Sequence, residues 1–500
     1  MRKRRRSGIL ASLLTACLCI AGCRASNETV GERRISVMTY CYTEEPMKGE
    51  VGRQILDTVE EYTGTELDIS WVSSTNYSQK LSTVLTYSKD LPMIIATDGK
   101  SASVLYAAHA GLFWDLTDLL ADYPHLSQSN PEINQNTMID GRLYGVYRGR
   151  ELGRVGASYR LDWAERLGLS APTSIESLEM MIQAFTFDDP DGNGIDDTYG
   201  LVLSKDYDPS ALDVIMTWFG APNEWGQDEN GDLVPSFYTP EYKTALDWIR
   251  KMYQMGCINP DFYMRDAEHW TTELKLGHAG VLVRYLDEGR RVQDYFTFEN
   301  LDGKIGLVGA VEGYDGVKRT LATKGHNGFF AITKSASTLD DVRRCLDFLD
   351  KMNDPEMMVL ADFGLVGRHH TFNEEGELVR SYDPQINMDY NDLNQLLTYS
   401  EYSIPPNVAI RGTELYSLQQ KLYEENKQYC VKNPVLPFIQ DSPAYMQEGE
   451  ELDRMIRDAR VRYIIGEIDE EELKQTWNDW AEKGGIRLIE EVNALYKLHR

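Results

Sequence analysis

Apolar positions along the chain switch between two periods. Arg34-Ile-Ser-Val-Met-Thr-Tyr alternates and predicts a strand. Residues 50–62 and 76–88 repeat apolar side chains every three or four positions and predict helices, and Leu112 to Leu120 reads as another. Leu91-Pro-Met-Ile-Ile-Ala-Thr between them is a short apolar strand. Further on, Thr173 with Glu176 predicts a capping box, and Leu178, Met181, Ile182 and Phe185 fall on one helical face. Thr239-Pro240 begins a helix with Tyr242, Leu246, Ile249 and Tyr253 on its apolar side, and Thr338 with Asp341 begins another. Residues 446–500 are acidic and helical in pattern, with Trp477, Trp480 and Ile489 expected to pack them onto the body. Strands alternating with helices predict an α/β fold.

The N-terminus has a different pattern. Met-Arg-Lys-Arg-Arg-Arg precedes an apolar run from Gly8 to Ala21, then Gly22 and Cys23. A basic start and a run too short to span a bilayer predict a secretory signal. The small residues before Cys23 resemble a lipobox, cut ahead of a cysteine that then carries lipid. Residues 1–22 are read as signal, Cys23 as the lipidated residue and 23–33 as a tether. The expected location is the extracellular face of the cell membrane, lipid-anchored.

Composition narrows the partners. The first 22 residues hold five basic side chains and no acid, so without them the net charge of −28 becomes −33. Nucleic acid is excluded as a partner on average, although a local basic pocket can hold one anion. Cys41, Cys257, Cys345 and Cys430 are far apart and form no metal or redox motif, which leaves their disulfide state open. Cys345 sits on an apolar helical face and is expected as a buried thiol.

Asp189-Pro-Asp191-Gly-Asn193-Gly194-Ile195-Asp196-Asp197 has the oxygen spacing of an EF-hand loop, with glycine at its sixth position. Asp189, Asp191, Asn193, the Ile195 carbonyl and Asp197 are the candidate ligands of a structural Ca2+. Position twelve is Gly200, so the usual bidentate glutamate is missing. Gly99-Lys100-Ser101 lacks the first glycine of a phosphate loop, since residue 94 is Ile. No Gly-x-Ser-x-Gly elbow occurs, and His369-His370 has no His-x-x-x-His spacing. With 29 Tyr, 9 Trp and 14 Phe, flat rings for stacking on sugars are plentiful. Tyr40, Tyr42, Trp71, Trp218, Trp225, Trp270 and Tyr285 are the candidate ligand walls, with Asp98 and Arg284 as polar partners; Trp114, Trp248, Trp477 and Trp480 read as core.

Asp140-Gly-Arg-Leu-Tyr-Gly-Val, Tyr159-Arg-Leu-Asp-Trp-Ala-Glu-Arg-Leu-Gly-Leu, the Asp189 loop, Asp197-Thr-Tyr-Gly-Leu, Gly277-His-Ala-Gly280 and Gly364-Leu-Val-Gly367 stand in a telling order. In combination they resemble the family 1 extracellular solute-binding lipoproteins of carbohydrate ABC importers, of Gram-positive type and distantly related to maltose-binding protein. Met93 and Tyr147-Arg148-Gly-Arg150 depart from the usual pattern near the expected cleft. The resemblance implies a two-lobed, type II periplasmic-binding-protein-like fold with hinge-crossing strands and a helical C-terminal segment. Lobe 1 is expected at 34–146 plus 328–400 and lobe 2 at 150–325 plus 405–500, with crossings near Val146–Arg150, Asn327–Ala331 and 400–410. It further implies a monomer, without catalysis, that binds an oligosaccharide between the lobes and passes it to ABC permease subunits. A lipid-anchored carbohydrate-active enzyme and a sugar receptor for a signalling kinase are the rival readings.

Overall fold

The computed structural model describes residues 34–205, 210–265, 270–399 and 414–499. The signal, tether and Cys23, the crossing placed at 400–410 and the side chain of Trp270 lie outside the described residues.

The strand Arg34–Cys41 begins the first sheet, as its alternation requires. Glu66–Ser73 and Ile94–Ala96 lie parallel to it on either side. His326–Ile332 then joins antiparallel to Ile94–Ala96, and Gly145–Gly149 closes the order. Helices Gly49–Thr63, Tyr77–Tyr87 and Leu339–Lys351 bury Ile55, Val59, Leu81, Val84, Val342 and Leu346 in the same core. That core draws on residues 35–147 and 329–397, two separate stretches of chain.

The second sheet runs Ile305–Val308, Val155–Arg160, Ala279–Tyr285, Tyr199–Val202. Val155–Arg160 is buried at all six positions, the signature of a strand covered on both faces. Helices Ile175–Phe187, Ala211–Trp218 and Pro240–Gln254 pack here, joined by the C-terminal helices Pro443–Ile465, Glu470–Trp480 and Ile486–His499. Trp480 is buried against Phe237, while Trp477 and Ile489 pack at the edge of the same core. The molecule is therefore two α/β lobes with a helical C-terminus. The chain leaves the first sheet after Gly149, enters the second at Val155, and returns from Lys318–Leu321 to His326.

Two local expectations are corrected. Residues 112–120 are not a helix, because their backbone is used elsewhere: Trp114 N–H donates to the Ile332 carbonyl and Leu116 N–H to the Leu143 carbonyl. The cap of Ile175–Phe187 is Ser174 with Ser177, one residue later than Thr173 with Glu176. The box at Thr338 and Asp341 forms as read, and Cys345 is a fully buried thiol.

Gly200 shows how tightly the second lobe is packed. A Cβ there would lie 1.9 Å from the Ile182 carbonyl oxygen, so the strand meets the helix backbone directly. Gly200→Ala is expected to lower stability by roughly 2–4 kcal/mol, seen as an earlier midpoint in chemical denaturation. An unchanged midpoint would contradict this contact.

Candidate functional site

Parallel α/β sheets present ligands at the carboxyl ends of their strands, because loops diverge there and leave a crevice. In the first lobe this edge carries Tyr40, Tyr42, Trp71 and Asp98, so four candidate residues gather on one side of one sheet. They do not share one role. Tyr40 is buried, donates from its hydroxyl to the Thr97 carbonyl at 2.7 Å, and has its ring 4.0 Å from that of Tyr77. The guanidinium of Arg148 stands 4.5 Å from the Tyr40 ring centre. Tyr40 is thus a platform for Arg148 rather than an open wall for sugar. Burial raises its phenol pKa, and Arg148 opposes that rise.

Tyr42 is different: it is 59% exposed, on a loop held by Asp392. That buried carboxylate accepts the Tyr42 N–H at 2.7 Å, the Thr43 N–H at 3.1 Å, and the Thr43 hydroxyl. Asp98 is exposed and Trp71 half-buried on the edge strand. Gly328 locks this edge to the return strand. It has φ +74, and a Cβ on it would lie 1.8 Å from the Thr97 carbonyl oxygen.

The second lobe brings Arg284 and Tyr285 to the carboxyl end of Ala279–Tyr285, with Tyr285 in register with Val155. The Tyr285 ring lies between two cations, with Arg154 at 4.1 Å and Arg284 at 4.7 Å from its centre. Arg154 grips Asp287 through both oxygens at 2.8 and 2.9 Å, and Tyr423 donates to the same carboxylate. Arg284 reaches Glu288 at 3.3 Å. Despite burial, Arg154 and Arg291 hold Asp287 well below the usual carboxylate range. Glu288 goes the other way, up to about 7, because burial outweighs Arg284 and the Asp287 charge repels a second one. Across the junction, Lys100 Nζ donates to the Pro437 carbonyl at 2.7 Å, and Lys432 pairs with Glu132 at 2.7 Å.

Two candidates are corrected. Trp218 has 0% exposure inside the second core, and Trp225 is buried there too. In the helix Ala211–Trp218 every residue but Asp213 is buried, so it has no wet face from which a ring could reach ligand. His369 and His370 are structural: His369 Nδ1 accepts the Leu365 N–H, and His370 Nδ1 lies 3.0 Å from the Phe363 carbonyl. Sequence reading placed Arg148 and Arg150 near the cleft only as departures from a pattern. It missed Lys100, Arg154, His326 and Asp392, which reach the junction through long-range pairing.

The loop after helix Ile175–Phe187 draws its oxygens together. Asn193 Nδ2 donates to Asp191 at 2.9 Å and Asp197 at 3.2 Å, Gly194 N–H to Asp189 at 3.0 Å, and Ile195 N–H to Asn193 Oδ1 at 2.7 Å. Asp189 Oδ1 is buried without a partner. Among the described residues no three His, Cys, Asp or Glu side chains converge as a metal cluster. The residues nonetheless fit a hard cation: one amide nitrogen already stands between two carboxylates, and one buried oxygen is left over.

No family model matches the chain. It is 35% identical to Lipoprotein LipO of Bacillus subtilis (strain 168), over 97% of each chain. It is 30% identical to the polygalacturonan/rhamnogalacturonan-binding protein YtcQ of the same organism, over 96% of each. The chain belongs to the solute-binding lipoproteins of carbohydrate ABC importers. The fold agrees. The substrate-binding protein FusA of Streptococcus pneumoniae, in complex with kestose, superposes with a TM-score of 0.68 at 20% identity, covering 93% of this chain and 99% of its own. An EF-hand mutant of FusA superposes at 0.66. Family members are thus named for binding, which fits a site built from rings and ion pairs.

Glu288 gives the site a measurable pH signature. Its folded pKa is raised, so it adds stability that is complete below the ordinary glutamate range and is lost as pH rises through about 7. The stability of the wild type relative to Glu288→Gln is expected to fall by about 2–3 kcal/mol from pH 5 to pH 8. Parallel urea titrations of both proteins check this, and a pH-independent difference would contradict it.

Proposed function

We propose that this protein captures an oligosaccharide between its lobes and hands it unchanged to the permease subunits of an ABC importer. The observation that carries the reading is the meeting of two strand-end edges at chain crossings, within a family whose members are named for polygalacturonan/rhamnogalacturonan and fructooligosaccharide binding. Tyr42, Trp71, Asp98, Arg284, Tyr285 and Trp270 are the proposed contacts, with Tyr40 beneath them. The lobes are proposed as 34–146 plus 328–400 and 150–325 plus 405–500. Closure of one on the other gives a shape that a permease can distinguish from the open one. The working protein is proposed as a monomer held on the extracellular face of the membrane by lipid on Cys23.

Asp189, Asp191, Asn193, the Ile195 carbonyl and Asp197 are the proposed ligands of Ca2+. The ion would neutralise a loop of carboxylates leading into Tyr199–Val202 at the end away from the lobe junction. Its role there is to staple the loop.

Calorimetric titration with defined oligosaccharides should give saturable binding, with the sugar recovered intact by chromatography; a shortened product would make the protein an enzyme instead. Chelation of calcium should lower the melting temperature by several degrees, and Asp189→Asn should remove that response while changing sugar affinity less than threefold. Cys23→Ala should move the protein from the membrane fraction to the medium, and retention on the membrane would refute the anchor.

A further inference from the structure

Five arginines are buried among the described residues: Arg148, Arg154, Arg160, Arg284 and Arg460. Four meet a carboxylate: Arg154 with Asp287, Arg160 with Asp162, Arg284 with Glu288, and Arg460 with Asp213. Arg148, 1% exposed, meets none. Nη1 donates to the Asn327 carbonyl at 3.0 Å and Nη2 to Gln395 Oε1 at 2.6 Å, while the Tyr40 and Phe330 rings flank it. Its Nε is buried without any partner. A guanidinium removed from water without a counterion is costly, and a chain this acidic has carboxylates to spare.

Other positive charges lie close by. His326, in register with Gly149 beside Arg148, is pushed down to about 3 by burial and then by Lys324, Lys100 and Arg150. Arg150 N–H donates to the Gly325 carbonyl, tying the two crossings together. Lys100, Arg148, Arg150 and Lys324 thus gather on or beside the hinge strands, in a chain whose net charge is −28. Asp98 near Tyr40 and Asp441 near Lys100 face the same region, and neither is bonded to Arg148. Such a focused positive field, at the strand-end edge where ligand is expected, attracts an anion.

Building on the oligosaccharide reading, we propose that the ligand is an acidic oligosaccharide of the uronic acid class, whose carboxylate becomes the missing partner of Arg148 when the lobes close. The flat guanidinium suits a planar carboxylate, which it can bind through paired N–H donors. The rings of Tyr42 and Tyr285 remain for the apolar faces of the sugars.

The test is calorimetry on the signal-free chain with trigalacturonate, its fully methyl-esterified form and kestose. Trigalacturonate should bind at least 100-fold more tightly than its ester. Arg148→Gln should cost at least tenfold in affinity for trigalacturonate, with Arg148→Lys falling between. If Arg148→Gln melts early, Lys324→Gln, at an exposed position, should weaken trigalacturonate about threefold and reduce its salt dependence. Equal or tighter binding of ester or kestose would overturn the acidic assignment while leaving sugar capture intact. A natively melting Arg148→Gln with wild-type affinity for trigalacturonate would overturn the role of Arg148. Equal affinity for inorganic phosphate would show a bare anion site and overturn the sugar. Refusal of every saccharide, acidic or neutral, would remove the functional reading as well.

Discussion

The antiparallel pairing of Gly145–Gly149 with His326–Ile332 is the constraint on which the rest is built. The chain must leave its first sheet and later return beside the point of departure. That pairing completes the first sheet with residues from two distant stretches, so neither lobe can fold from one continuous segment. It also aligns the two exits, so that the carboxyl ends of both sheets face a common junction. The contact is close: Gly328 admits the Thr97 carbonyl where any side chain would exclude it. Thr97 in turn takes the Tyr40 hydroxyl, and Tyr40 carries Arg148. One backbone approach thus fixes the first-lobe wall.

Charge placement follows from the same geometry. Beyond the crossing, Arg154 and Asp287 neutralise each other within hydrogen-bond distance, while burial and the Asp287 charge raise the pKa of Glu288, which faces Arg284, to about 7. Short pairs of this kind stiffen the second-lobe wall. On the first-lobe side the arrangement is looser, with neutral oxygens and rings around Arg148. The junction therefore has one wall whose arginines each face an acidic side chain and one whose Arg148 faces none within ion-pair distance.

Much of the fold was legible because it is encoded locally. The alternation from Arg34, the cap at Thr338 and the apolar face of 240–254 each depend on residues within a turn or two. Misreadings arose where distant pairing took over. Residues 112–120 look helical until their N–H groups are claimed by the return strand and by Leu143. Trp218 and Trp225 illustrate a different limit. Residue type suggests a sugar platform, while the helix Ala211–Trp218 is apolar at all positions but Asp213 and Thr217 and so belongs inside; that signal was present and outweighed by ring chemistry. Tyr40, Tyr42, Trp71 and Asp98, read singly from residue type, fall on one edge because the ends of parallel strands converge. The basic cluster was not legible, since Lys100, Arg148, Arg150 and Lys324 lie at or beside the ends of three strands, far apart in sequence.

An unpaired buried cation also bears on dynamics. The Tyr40 and Phe330 rings, the Asn327 carbonyl and Gln395 that cover Arg148 all belong to the first lobe, so its guanidinium is out of water without a counter-charge before any ligand binds. On the proposed reading, an anionic ligand offsets that cost by supplying the counter-charge. On the same reading, that ion pair contributes to the ligand's differential affinity for the two states, which alone can shift their populations. The proposed stacking of sugar faces on Tyr42 is available in either state, because that ring is exposed on one lobe. On the proposed reading, the saccharide face and its charge are met by different side chains, and a neutral sugar of the same shape would leave Arg148 without its counter-charge.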